Sequence, residues 1–483
     1  MYISNAIQSK KYDQILLDNG YSIIELVDLA SDCLLEECQS FNNYVIVCGT
    51  GNNGADGLSL ALKLHQLHKH VEVVIFKETD LSAANAYYLN KVKESSISYS
   101  LFNELSFNQS LSNTECVIDG MFGFGLHSCP KEDYALCIDL INQTSLDVIS
   151  IDIPTGLNCD TGISYHHCII ANKTITLTAY KNGFLNPEST KYTGKVILKT
   201  LATPSFFKEA NMYYYFEYDD AKKLLKDRKY DGHKKTYGHI GMITGCDQYK
   251  GAALLSTKSA VYSGAGLVTV ISDPSVNNLL PTICLEATTC VRPPILQSKD
   301  IENYDALLIG SGLGLEEDKE RYVIDCLYQS NISMVLDGDA LTILSKHLNL
   351  LKDKSCILTP HMGEFKRLCH FNESDDLLEV ASTFAKDHQI VLVLKGPHTI
   401  ITDGNTNYKI ATGNKAMAVA GMGDTLAGII TSFVGQKYDL LEAAVLGAYI
   451  HSYCGDVLEK DNYTVIPTKL IDLIPSVMKD LNK

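Results

Sequence analysis

The sequence predicts two successive α/β domains, each a mainly parallel sheet covered by helices. Chain length, a recurring strand, turn and helix rhythm, and glycine-rich turns at strand ends together predict it. With 483 residues and 46% hydrophobic content, the chain is too long for a single core, and two domains are the default expectation. In the first half, β-branched runs at 44–48, 71–76, 116–118 and 148–151 are each followed by a turn and a helix-patterned segment. The rhythm restarts at 239–244, 268–272, 306–309, 334–336 and 390–394. Segment 213–231, rich in Tyr, Lys and Asp and without a turn motif, reads as the junction. The predicted domains are therefore 1–217 and 218–483.

Composition narrows the function classes. Lys plus Arg total 41 against 57 Asp plus Glu, so the net charge of −16 argues against nucleic acid and anionic membranes as partners. A small anionic ligand is compatible with this charge, because backbone amides and a few basic side chains hold it locally. The 15 cysteines are odd in number and contain no CxxC pair, which points to reduced thiols and a cytoplasmic protein. No apolar run approaches the roughly 18 residues that cross a bilayer, and the start lacks the layout of a signal peptide.

The first element of interest is the 44–48 strand, which runs into Gly49-Thr-Gly51-Asn52-Asn53-Gly54-Ala55-Asp56-Gly57 and then a helical pattern at 58–67. Glycines there let a backbone approach a phosphate at a helix N-terminus, while Asn52, Asn53 and Asp56 add oxygens for a cation or donors for a ribose. A tight turn with Asx side chains bonding their own backbone is the plainer alternative. The next two strand ends are also acidic. Asp119-Gly-Met-Phe-Gly123-Phe124-Gly125-Leu126 follows the 116–118 strand, and Asp152-Ile-Pro154-Thr155-Gly156 follows the 148–151 strand. Such C-terminal strand ends line the binding crevice of open α/β sheets. Asp160, further on, reads as a structural cap.

These three motifs resemble the NAD(P)HX epimerases, the N-terminal half of the bifunctional NAD(P)HX repair enzymes, from an opening helix at 13–31 through 178–184. The resemblance implies a Rossmann-like three-layer α/β/α domain with Asp152 as the catalytic carboxylate. It implies potassium held by Asn53, Asp119 and Thr155. The hydrated cofactor would be lined by Asn52, Asn53, Gly54, Ala55, Asp56, Gly123, Phe124, Gly125, Leu126, His127, Ser128, Cys129 and Asp152. Hard oxygen ligands suit an alkali cation, and a carboxylate suits proton movement at the hydrated carbon. The sequence departs from the family at Ala55, at Phe124 and across 26–31, which places the opening helix's contacts in question.

In the second half the strongest pattern is Gly413-Asn-Lys-Ala-Met-Ala-Val-Ala-Gly421-Met-Gly423-Asp424-Thr425, ahead of an apolar helix at 426–434. Glycines at a helix N-terminus make an anion hole, and Asp424 stands where a base for phosphoryl transfer belongs. An ordinary Asp N-cap is the structural alternative. No Walker A motif occurs. The turn looks like the GxGD element of the ribokinase-like fold. With Gly310-Ser-Gly312-Leu-Gly314, Asp337-Gly-Asp339, Thr359-Pro-His361-Met-Gly-Glu364 and Lys395-Gly396-Pro397-His398-Thr399, it is similar to the ADP/ATP-dependent NAD(P)HX dehydratases over about 230–475. By that resemblance Ala252, Gly312, His361 and Asp424 contact the hydrate, with Asp424 catalytic, and Lys395, Gly396, Pro397, His398, Thr399 and Gly423 hold the nucleotide. His361 as a core histidine is the plainer alternative.

The expected activity is epimerisation of R- to S-NAD(P)HX, then dehydration to NAD(P)H at the expense of ADP or ATP. Mg²⁺ and K⁺ are expected cofactors, NADHX and NADPHX the substrates, and a homo-oligomer the assembly. Two other readings stay open: a small-molecule kinase of a vitamin pathway, and a non-catalytic binding scaffold.

Overall fold

Runs of buried β-branched residues make the first sheet of the computed structural model, which describes residues 1–201, 205–372, 375–396 and 398–483. The chain divides into two compact units, Met1–Met212 and Tyr213–Lys483.

In the first unit seven parallel strands follow the order Ser98–Leu101, His70–Ile75, Asn43–Cys48, Cys116–Gly120, Asp147–Ile151, Lys173–Leu177 and Lys195–Lys199. The Asn43–Cys48 strand is buried on both faces. Tyr44, Ile46 and Cys48 join one core with Leu58 and Leu64, while Val45 and Val47 join the opposite core with Phe107 and Ile138. Alternation of side chains across the pleat thus serves two helical layers. The chain builds outward from Asn43–Cys48 on one side, then crosses to Cys116–Gly120 on the other, leaving a switch point at the carboxyl ends of these two strands.

The opening helix expected at 13–31 is two helices, Ala6–Asp18 and Ile23–Cys38. Gly20, at φ 95°, stops the first, and a capping box of Ser22 with Glu25 starts the second. Asp160 behaves as the sequence suggests, its Oδ1 accepting the Ala6 amide 2.8 Å away.

In the second unit the strands run Thr288–Val291, Leu267–Ser272, His239–Ile243, Ala306–Ile309, Ser333–Leu336, Cys356–Leu358 and Val391–Leu394, all parallel. Ile400–Thr402 then adds antiparallel, followed by Asn407–Ile410 and Tyr213–Phe216. The segment expected as a junction is therefore folded. Tyr213–Phe216 pairs in register with Asn407–Ile410, and Tyr218–Leu224 is a helix.

The Met422–Gly435 helix is almost entirely buried against Lys250–Tyr262. Gly428 permits this, since a Cβ there would lie 2.2 Å from the Ser256 carbonyl oxygen. Among the described residues no helix is long and apolar enough to cross a membrane.

Candidate functional sites

At the switch point of the first unit lies a cavity of about 400 Å³, walled by both opening helices, the glycine turn, the 121–126 loop, Asp152 and Lys181. Glycines build its floor because backbones touch there. A Cβ on Gly49 would lie 1.9 Å from the Met121 carbonyl oxygen, and one on Gly54 2.0 Å from that of Gly49. Helix Asn52–Gln66 starts directly at the turn with no side-chain cap, and Gly51, Asn52 and Asn53 at its start line the cavity.

Asp152 is held by an unusual backbone, φ 63°, that L residues seldom adopt. Its Oδ1 accepts from the Leu177 amide at 3.2 Å and the Thr176 hydroxyl at 3.3 Å, and pairs with the Lys181 ammonium at 2.7 Å. Its Oδ2 faces Gly123: this oxygen and Asn53 Oδ1 each lie 3.4 Å from where a Gly123 Cβ would be. One carboxylate oxygen is thus anchored and the other points to the cavity. Burial, with the charge of Asp152 adding to it, pushes the Asp13 carboxyl up to about 6, and Lys181 only partly offsets this. Asp56 is likewise raised above its ordinary value by burial and by the charges of Asp152 and Asp13.

Asp119 is fully buried. Its oxygens accept from the Thr155 hydroxyl at 2.7 Å, the Thr155 amide and the Ser150 hydroxyl at 2.9 Å, and the Met121 amide at 3.3 Å. Burial raises its pKa, with the Thr155 and Ser150 bonds opposing the rise. Asn53 Nδ2 is buried without a hydrogen-bond partner.

The structure brings Asn52, Asn53, Asp56, Gly123, Phe124, Gly125, Leu126 and Asp152 to one cavity. It does not bring the rest. His127 and Ser128 are exposed and Cys129 is half-buried, beyond the cavity lining. Ala55 belongs to the core, its amide already donated to Gly51, and Gly54 packs under the turn. Asp13 and Lys181 were missed by sequence reasoning. A lysine four residues past the buried Lys173–Leu177 strand was the available signal for the second, which the structure leaves 2% exposed.

In the second unit four strand ends converge on Asp337. This carboxylate accepts from Ser311 Oγ at 2.9 Å, Thr359 Oγ1 at 2.8 Å and Lys395 Nζ at 2.9 Å. Burial works to raise Asp337, but Lys395 and these bonds outweigh it and hold the carboxyl below its ordinary value. Burial likewise opposes the Lys395 charge, and Asp337 and Glu364 overcome it. The ammonium lies 3.2 Å from where a Gly423 Cβ would be, so the lysine reaches close beside the turn and a side chain there would press on it.

Gly421 adopts φ 92° as the N-cap of Met422–Gly435, and Asp424 sits in the first helical turn. Burial and the negative Asp337 push the Asp424 carboxyl up to about 6, against the pull of Lys395. His361 is not a core histidine, because its side chain is 58% exposed. Its Nδ1 accepts the Gly363 and Glu364 amides at the start of helix Met362–Leu368, and its backbone bridges to Lys395. Ala252 abuts Gly312, itself at φ 61°. Gly396 and His398 are exposed and Thr399 is half-buried, whereas Pro397 lies outside the described residues.

Residues 240–476 match the family model described as NAD(P)H-hydrate dehydratase, and 20–183 match that of the YjeF-related protein N-terminus. The chain is 31% identical over 466 residues to a bifunctional NAD(P)H-hydrate repair enzyme of Coxiella burnetii, covering 93% of each protein. It is 38% identical over 260 residues to an ADP-dependent (S)-NAD(P)H-hydrate dehydratase of Staphylococcus aureus, covering 53% of this chain and 94% of that one. A ribokinase-like superfamily protein from Enterococcus faecalis superposes with a TM-score of 0.52 at 32% identity, over 55% of this chain and 95% of that one.

Proposed function

The chain belongs to the bifunctional NAD(P)H-hydrate repair enzymes, and from that premise we propose how its residues divide the work. The protein is an NAD(P)H-hydrate epimerase and an ADP-dependent NAD(P)H-hydrate dehydratase. It converts the R hydrate to the S hydrate, then restores the dihydronicotinamide while consuming nucleotide.

Epimerisation belongs to the first unit. Inverting the hydrated carbon requires its hydroxyl to leave with a proton and water to return on the other face, losing one. Asp152 carries this reading: Oδ1 is fixed by three donors, and Oδ2 is left to exchange a proton with the substrate. Asp13 and Asp56, raised by burial, supply further protonatable oxygens in the same cavity.

Potassium fits Asn53, Asp119 and Thr155. Asp119 is a buried carboxylate that pairs with no cationic side chain among the described residues, and the Asn53 Oδ1 oxygen lies on the cavity side, 3.4 Å from where a Gly123 Cβ would be. A monovalent cation would supply charge balance through oxygen ligands only.

Dehydration belongs to the second unit. Asp424 takes the proton of the S hydroxyl as its oxygen bonds the terminal phosphorus and the bond to the nucleotide breaks. The carbon–oxygen bond then breaks, phosphate leaves, and loss of a proton from the neighbouring ring carbon restores the double bond. Lys395 and the amides of the Gly423 turn hold the phosphates, and Ala252, Gly312 and His361 contact the hydrate. Mg²⁺ arriving with the nucleotide would neutralise charge between its phosphates. Fifteen free cysteines support a cytoplasmic protein, and a homo-oligomer is the assembly we favour, open to light scattering.

The deciding experiment incubates the purified protein with mixed hydrates and ADP or ATP while following dihydronicotinamide absorbance. Full recovery with release of inorganic phosphate is expected. A stable phosphorylated product without recovered absorbance overturns the reading in favour of a small-molecule kinase.

A further inference from the structure

We propose that Asp337 is a positioning residue of the dehydration step, acting through Lys395 to fix the ammonium that meets the nucleotide phosphates at the Gly423 turn. The inference rests on the dehydratase reading above and assigns a role to a residue that touches neither substrate.

Four strands end at this point. Ala306–Ile309 leads to Ser311, Ser333–Leu336 to Asp337, Cys356–Leu358 to Thr359, and Val391–Leu394 to Lys395. Three of these residues donate to the fourth, so Asp337 is saturated from three directions and is 4% exposed. Lys395 differs, since 19% of its side chain is open. Its ammonium makes one short contact, 2.9 Å to Asp337, and a longer one, 3.9 Å to Glu364. The remaining side of the ammonium faces the Gly423 turn.

A buried ion pair by itself adds little to stability, because desolvation offsets the attraction. A sealed pair would also hide the lysine. This pair instead holds a cation at the lip of an anion hole, where it meets phosphate oxygens without rearranging.

Asp337→Asn separates the two roles. Asparagine keeps the size and one acceptor oxygen, so one of the Ser311 and Thr359 hydroxyls still donates while the other turns to accept from the new amide N–H, and the charge is removed. The freed ammonium is then drawn to the other carboxylates it feels, Glu364 and Asp424. Two changes act on Asp424 in the same direction: the like charge of Asp337 disappears, and the cation approaches. Both favour its ionised form, so the acid limb of the dehydration profile moves to lower pH. The other titratable neighbours are His361, 3.6 Å from Glu364, Asp339, and the buried His451. Burial and Lys395 depress His451 to about 4, below this limb.

The test uses full-length protein, purified S hydrate and ADP. Asp337→Asn is expected to raise the nucleotide KM about tenfold or more, the effect of misplacing one charge-assisted contact, and to shift the acid limb downward. Thr359→Val removes one donor to Asp337 while keeping the charge, and is expected to alter thermal stability but neither KM nor the profile. A folded Asp337→Asn protein with unchanged KM and profile overturns the proposal. So does a Thr359→Val protein that reproduces its kinetics. If Asp337→Asn and Asp337→Glu both fail to fold where Thr359→Val folds, Asp337 belongs to the fold and the proposal is overturned. If the unaltered protein restores no dihydronicotinamide, the dehydratase reading falls, and titration with a fluorescent ADP analogue still decides whether Asp337→Asn weakens nucleotide binding.

Discussion

Asp152 and Asp424 sit in different units and different chemical settings, so neutralising each should separate the two activities. Asparagine keeps the shape of aspartate but cannot take a proton. Asp424→Asn is expected to slow dehydration by about 10³-fold, roughly 4 kcal/mol of barrier, while R to S conversion persists. Asp152→Asn should reverse the pattern. A racemic hydrate would then show a fast absorbance phase for the S fraction and a slow phase at the spontaneous rate of epimerisation. Loss of both activities from either folded protein would mean the carboxylates are misassigned. The buried Asp119 supports a second expectation, that epimerisation falls in buffer free of potassium and sodium and recovers on adding potassium. The Asp119→Asn protein should show no such response, because its site carries no charge to balance. Cation-independent epimerisation by the unaltered protein would remove the potassium site.

At the scale of elements, the glycine turns were legible because close backbone approach leaves a sequence trace. Gly49, Gly54, Gly421 and Gly423 each stand where a Cβ meets backbone, an aliphatic side chain or the Lys395 ammonium. The break in the opening helix was less visible, since Gly20 and the Ser22 capping box sit inside an otherwise continuous apolar pattern. Least legible were Asp13 and Lys181, whose importance comes from burial around a cavity, and burial depends on tertiary packing rather than spacing. Gly421 offers a direct test at this scale. Alanine there must adopt φ 92° and place its methyl 2.5 Å from Leu255 Cδ1. The left-handed conformation alone costs about 1–2 kcal/mol, and the contact adds to it. Gly421→Ala should therefore lower the unfolding temperature of the second unit and disable dehydration, while epimerisation continues. A protein with normal dehydration would show that the turn tolerates a side chain and is not the anion hole.

For the whole molecule, we propose that each unit folds and works without the other, since the chain divides into two compact units and each carries one of the two groups of proposed site residues. Where the chain is cut should decide whether this succeeds. The sequence suggested a boundary between 217 and 218, because 213–231 has the composition of a junction and no turn motif. In the structure Tyr213–Phe216 pairs with Asn407–Ile410 over four residues, and Phe216 packs on Tyr449 and Tyr408. A fragment beginning at 218 loses this strand, exposes the edge of Asn407–Ile410 and uncovers the aromatic cluster, which invites aggregation. The 213–483 fragment is thus expected to dehydrate S hydrate at the rate of the full chain and to unfold in one cooperative transition. The 218–483 fragment should be several degrees less stable and more prone to precipitate. The complementary 1–212 fragment should retain epimerisation, measured by supplying 213–483 separately and following loss of the slow phase. Equal stability of the two C-terminal fragments would return the boundary to 218, and absence of activity from both folded fragments would show that each unit depends on the other.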